Sequence, residues 1–180
     1  RPKRTKKTKK GWRIAGFFSS FLVVAVLAIL MIIGAAEMLG YLPPTGVVTG
    51  KQLSQYNRRI LVENKYISGD EEIIYFYSAS LFRIKEDGNL LTRRRVISYW
   101  EGDAETGYDS IDLDEIVNVS VDYSKRWDED SKITVTSGNN RLILFVPGDD
   151  GMDTRFVEKL NDLVKKKQLR NRLISGANTA

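Results

Sequence analysis

Residues 72–100 read EIIYFYSASLFRIKEDGNLLTRRRVISYW, and the rhythm of this stretch decides the fold. Aromatic, Ile, Leu and Val residues fill short segments separated by polar turns, with no apolar stripe at helical spacing. The pattern predicts strands over residues 72–78, 80–85 and 90–100. Glu86-Asp87-Gly88-Asn89 is the turn before the third, because Asp-Gly tolerates the backbone angles of a tight hairpin. The pattern continues downstream with strands over 108–113, 116–123, 132–137 and 141–146, a polar loop over 101–107, and a turn at Gly138-Asn139-Asn140. After these seven strands the period changes. Phe156, Leu160, Leu163 and Val164 fall at i, i+4, i+7 and i+8 and predict a closing helix over residues 154–170, capped by Asp153 or Thr154. Lys165 to Lys167 complement that helix's C-terminal dipole.

Upstream of the strands, Leu53, Tyr56, Ile60 and Leu61 give one apolar face to an amphipathic helix over 51–66, with Thr49 and Gln52 spaced as a capping box. Residues 37–50 are rich in Gly and Pro and read as a linker. Before the linker, residues 14–33 (IAGFFSSFLVVAVLAILMII) hold no charge and thirteen Leu, Ile, Val or Phe side chains. At about 1.5 Å per residue such a helix reaches the roughly 30 Å of a hydrocarbon core, so a transmembrane helix is expected over 14–36. The competing readings are a buried core helix and a signal peptide, whose apolar region is shorter. Within the run Gly16 and Ser20 form a small-xxx-small pair that would let another helix approach.

The net charge of +5 is a property of one end. Residues 1–13, a basic tail, carry eight Lys or Arg and no acid, whereas the other 20 basic and 23 acidic residues leave −3. The positive-inside rule therefore puts the N-terminus in the cytoplasm and the strand-rich domain across the membrane, with a cytoplasmic domain as the alternative. The net-acidic remainder is no nucleic-acid surface. There is neither Cys nor His, which removes thiol nucleophiles, imidazole bases and Cys/His zinc sites, so neither catalysis nor a cofactor is expected. Asp149-Asp150-Gly151-Met152-Asp153 lacks the ligand order and distal Glu of a calcium loop, and no metal is expected there.

The wording of the strands resembles bacterial PH-like (GRAM-like) domains. Gly69-Asp70-Glu71-Glu72-Ile73-Ile74-Tyr75 is similar to their opening strand, and Leu91-Thr92-Arg93-Arg94-Arg95-Val96-Ile97-Ser98-Tyr99 to a later one. Ile111-Asp112-Leu113-Asp114-Glu115-Ile116 resembles their entry to the fifth strand, and residues 151–163 their closing helix. The resemblance covers about residues 66–168. It implies an α+β, mainly β fold: a bent seven-stranded antiparallel sheet over 67–170 with a C-terminal capping helix. Residues 171–180, beyond the resemblance, read as a flexible tail. It also implies a binding or assembly module. A phosphoinositide site is not carried over, because the first hairpin offers Arg83 and Lys85 against Glu71, Glu72, Glu86 and Asp87.

The candidate interaction residues are Gly16, Ser20, Arg93, Arg95 and Trp127. Arg93 and Arg95 share one face of a continuous strand while Arg94 points to the other, toward acids such as Asp112 or Asp114. Trp127 lies in a loop beside Asp128-Glu129-Asp130, where an aromatic suggests an interface. The expected function is that of a single-pass membrane protein of the bacterial inner membrane whose domain is a non-catalytic accessory or assembly subunit. Its partners would be membrane lipids and either another membrane protein or a second copy of itself. The alternative is a lipid-headgroup sensor.

Overall fold

The computed structural model describes the backbone of residues 10–80, 82–102, 106–126, 128–138 and 140–177, and side chains within these from 22 to 174. The chain divides into two compact units, one ending at Leu39 and one starting at Gly40.

The first unit is helix α1 (Lys10–Met38), 29 residues without an acid in its first turn or a base in its last. From Leu22 to Ile33 its large apolar side chains stand exposed, Met31 at 72% and Ile32 at 67%. Among the described residues no helix is long and apolar enough to cross a membrane. The side chains of 14–21, the first part of the expected span, lie outside that description.

The second unit is mainly β, with two antiparallel sheets and a C-terminal helix. The described elements are β1 (Val48–Thr49), α2 (Gln55–Glu63), β2 (Ile73–Tyr77), β3 (Asp87–Thr92), β4 (Arg95–Glu101), β5 (Thr106–Asp112), β6 (Asn118–Asp122), β7 (Asp130–Ser137), β8 (Asn140–Pro147) and α3 (Met152–Ala177). One sheet runs β1-β2-β3-β4-β5, the other β6-β7-β8, each strand beside its sequence neighbour.

The strand count is eight among the described residues, not seven, for three reasons. β1 is a short edge strand that the linker adds, Val48 opposite Phe76 and Thr49 opposite Tyr75. Of the expected strand over 80–85, residue 81 lies outside the described residues and 80 and 82–85 are loop, with Ile84 buried at 2% exposure. The expected long strand over 90–100 is two strands, because Thr92 turns the chain. Its Oγ1 accepts from the backbone N–H of Arg94 (3.1 Å) and of Arg95 (3.0 Å), closing a side-chain turn at Arg93-Arg94. Asp87-Gly88, read as a turn, lies inside β3, where Gly88 is opposite Tyr99 and a Cβ would run into that ring.

Strands β2 to β4 of the first sheet are largely buried on both faces. Leu91, Val96 and Ile111 face the second sheet, where they meet Ile133, Val135, Leu142, Leu144 and Val146 and the α3 residues Phe156, Leu160 and Leu163. On the other face Phe76, Leu90, Ile97 and Tyr99 meet Leu53 and Leu61 of the α2 region with Tyr66, Ile67 and Ile84. A bulge in β2 between Ile73 and Tyr75 puts Ile73 and Phe76, three positions apart, on the same face.

The helix limits also differ from expectation. The Thr49–Gln52 bonds form, with Thr49 N–H and Oγ1 donating to Gln52 Oε1 at 2.9 and 2.8 Å. They close a turn ahead of the helix, and Ser54 is the N-cap of α2, its Oγ accepting from Asn57 N–H at 3.1 Å. Lys65 at φ 62° follows its end. α3 begins at Met152 and continues to Ala177, beyond the expected limit of 170. Its Asp153 is buried and accepts from Ser131 Oγ at 2.6 Å, which pins the first turn to β7.

Candidate functional site

Arg95 is only partly exposed, its side chain at 19%. Its Nε donates to Glu71 Oε1 and its Nη2 to Glu71 Oε2, both at 3.0 Å, and the Glu71 side chain is fully buried. Thr92 Oγ1 (2.9 Å) and Ser68 N–H (3.2 Å) complete the shell around that carboxylate. Burial alone would raise the Glu71 carboxyl, but the Arg95 guanidinium, Ser68 N–H and Thr92 hydroxyl together hold it below the usual carboxylate range. Arg95 thus ties β4 to the segment before β2.

Arg93, exposed, pairs with Glu72 at 2.5 Å. Because β3 ends at Thr92, strand alternation does not run through the arginines, and Arg93 and Arg95 share no face. That corrects the expected pairing of the two. Arg94, expected to face Asp112 or Asp114, is exposed and its carbonyl accepts from Leu113 N–H, while the register position opposite Asp112 is taken by Arg95. Gly16 and Ser20 lie one turn apart on α1, with side chains outside the description. Trp127 lies outside the described residues. Beside it Arg126 forks onto Asp128 at 2.9 and 2.7 Å, an exposed pair.

The structure assembles a different site. A cleft of about 340 Å³ opens between the two sheets, lined by Tyr77 of β2, Asp87 and Asn89 of β3, Trp100 of β4, Asp130 of β7 and Phe145 of β8 among others. Each wall has a local cause. Trp100 is opposite Gly107, and the absence of a Cβ there, which would lie 3.1 Å from Cζ2, lets the indole lie over β5. Phe145 sits at an outward position of β8 between inward Leu144 and Val146 and is 49% exposed. Asn89 Nδ2 donates to Phe145 O at 2.9 Å and joins the two sheets at the cleft.

Two carboxylates enter the cleft. Asp87 Oδ1 accepts from Ser78 Oγ (2.9 Å) and from the N–H groups of Ala79 (3.0 Å) and Ser80 (3.2 Å), which fixes the loop after β2. Asp130 Oδ2 accepts from the Tyr77 hydroxyl at 3.1 Å. Burial pushes the Asp130 carboxyl up, against the Tyr77 hydrogen bond, and the nearby Asp149 and Asp87 charges add to the rise. The Tyr77 hydroxyl is pushed up by burial and by the charge of Asp130, then of Asp87 and Asp149. Among the described residues neither Asp87 nor Asp130 meets a Lys or Arg in an ion pair.

No family model matches the sequence, and no curated protein matches it. Solved structures do resemble it. A DUF1696 family protein with a pleckstrin-homology domain from Shewanella loihica PV-4 is 17% identical, covering 68% of this chain and 96% of its own, with a TM-score of 0.43. A pleckstrin homology domain from Shewanella amazonensis SB2B is 19% identical, covering 62% of this chain and 96% of its own, with a TM-score of 0.39. Both neighbours are bacterial.

A second hollow of about 340 Å³ is lined by Tyr41, Tyr56, Ile60, Phe82, Arg83 and Lys85 among others. Its cations are engaged internally, Lys85 with Glu101 at 2.7 Å and Arg83 with Glu86 at 3.5 Å. Among the described residues no group of acids is arranged to hold a metal ion. The cleft residues escaped the sequence reading, although one signal was present. Alternation over 141–146 turns Leu142, Leu144 and Val146 inward and leaves an aromatic, Phe145, on the outside.

Proposed function

We propose that the chain is a membrane-anchored, non-catalytic interaction module. Residues 14–33 cross the bilayer, and the PH-like domain from Gly40 onward docks a protein partner as an accessory or assembly subunit. The apolar run carries this reading. It lies within a continuous helix, Lys10–Met38, and its described Leu, Val, Ile and Met side chains are exposed to whatever surrounds them. Water is a poor surrounding for such a surface, and lipid or another helix is a good one. The eight basic residues of the tail set the N-terminus in the cytoplasm and the domain outside it. The chemistry at hand, without Cys or His, supports binding over catalysis.

Extraction tests the anchor: the full chain should stay with membranes through an alkaline carbonate wash and leave only in detergent. Release by carbonate would refute it. Isolation in mild detergent with identification of companions tests the docking role, and a chain recovered alone and as a single copy would refute that.

A lipid-headgroup sensor has one observation in its favour. Leu169, Leu173 and Ile174 near the end of α3 are exposed among Lys165, Lys166, Lys167, Arg170 and Arg172. Flotation of the fragment from Gly40 onward with anionic vesicles separates the two readings, because only the sensor binds without a protein companion.

A further inference from the structure

We propose that the cleft between the two sheets captures a basic side chain, arginine in particular, presented by the partner protein. This inference rests on the docking role proposed above and names the chemistry of its site. The cleft's volume of about 340 Å³ lies at the lower end of ligand pockets and suits a single side chain better than a folded segment. Its rim is aromatic and open, Trp100 being 39% and Phe145 49% exposed, and an aromatic face attracts a cation laid over it. Its lining holds two acids: Asp87 and Asp130 each spend one carboxylate oxygen on internal donors, Oδ1 and Oδ2 respectively. The other oxygen of each has no partner among the described residues. The lining contains no Lys or Arg. Asp130 also borders an adjoining hollow lined by Lys125, Arg126 and Lys132; Arg126 is paired with Asp128 and Glu129, and among the described residues none of the three forms an ion pair with Asp130.

Charge complementarity selects the occupant. An anionic headgroup or phosphate would meet two carboxylates, whereas a cation supplies the counter-charge that the cleft lacks. A planar guanidinium matches both features at once, since it stacks on an indole and forks onto a carboxylate.

The probe is the tripeptide acetyl-Gly-Arg-Gly amide, titrated into the full chain in mild detergent and read by Trp100 emission in a Trp12→Phe, Trp127→Phe background. The chain holds three Trp residues, so Trp100 then reports alone. Saturable binding is expected, weakened about tenfold when citrulline, neutral and nearly isosteric, replaces arginine, since a charge-assisted hydrogen bond is lost. Asp130→Asn keeps an acceptor for Tyr77 and should also weaken the arginine peptide about tenfold, and the exposed Trp100→Leu, followed by Phe145-side NMR shifts instead of emission, by several-fold. Equal binding of the citrulline peptide, or full binding by Asp130→Asn, overturns the proposal. The companion experiment separates this from the docking role. A companion retained by Asp130→Asn sinks the cleft and leaves the module. Absence of any companion with wild-type protein sinks the module.

Discussion

Replacing Arg95 with Met should cost the domain about 3 kcal/mol, the lower end of the range for removing one partner of a buried pair, because the Arg95 side chain is itself 19% exposed. The magnitude follows from what is left behind. The Glu71 side chain is 0% exposed and accepts four hydrogen bonds, two of them from Arg95. Without the guanidinium, a fully buried carboxylate keeps only Thr92 and Ser68 as donors. For a domain of this size the loss corresponds to a fall in Tm of roughly 10 °C, measured by calorimetry or circular dichroism. Replacing Glu71 with Met as well should recover part of it, giving a coupling of about 2 kcal/mol in the double-mutant cycle. The dependence on pH is a sharper test. In the native protein the Glu71 carboxyl is held below its unfolded value, so its contribution is present above about pH 4.3 and is lost as pH falls through the lower folded value. In Arg95→Met the sign reverses: burial then raises the carboxyl, it protonates more readily, and the penalty of the substitution should shrink as pH drops below neutrality. A variant within about 1 kcal/mol of wild type at pH 7, or a penalty unchanged at low pH, would refute the assignment of Arg95 as an internal brace.

Three further outcomes are expected. Leu61→Ala, which opens a cavity where α2 meets the first sheet, should cost about 2–5 kcal/mol in chemical denaturation, and a cost near zero would mean that α2 is not part of the core. Gly88→Ala should destabilise by about 1–3 kcal/mol, because the added Cβ meets the ring and hydroxyl of Tyr99, which is buried and donates to Ile84 O; wild-type stability would show that the ring can move aside. The Asp130 carboxyl is raised in the folded protein, so stability relative to its ionised form is greatest below about pH 3.9 and declines as pH rises through the folded value. Asp130→Asn should therefore gain stability relative to wild type as pH rises above about 3.9, followed by Tm against pH, and a gap independent of pH would contradict the shift.

Most strands were legible because their cause is local. Residues 72–78, 108–113, 116–123, 132–137 and 141–146 contain β2, β5, β6, β7 and β8 within a residue or two, since alternation and β-branched content act over a few positions. The errors fall where a contact distant in sequence overrides a local preference. Gly88 serves the ring of Tyr99 instead of a turn, and Ile84 leaves any ladder to fill the core under α2. The arginines were misread because Thr92, a residue of high strand propensity, folds its hydroxyl back on Arg94 and Arg95 N–H. That single turn gives the Arg95 guanidinium to Glu71.

Sequence alone determined that a charge-free run of residues 14–33 is followed by a strand-rich domain ending in a helix, and that Cys and His chemistry is absent. These follow from composition and periodicity, which need no knowledge of what packs on what. The tertiary structure decided that β2 to β4 of the first sheet are covered on both faces, that Arg95 is spent on the buried Glu71, and that Trp100, Phe145, Asp87 and Asp130 meet in one cleft. These four residues come from β3, β4, β7 and β8 and span 59 positions, from Asp87 to Phe145. Their meeting depends on how the sheets are registered and joined, as by the Asn89 bond to the Phe145 carbonyl, and no local preference encodes that distance.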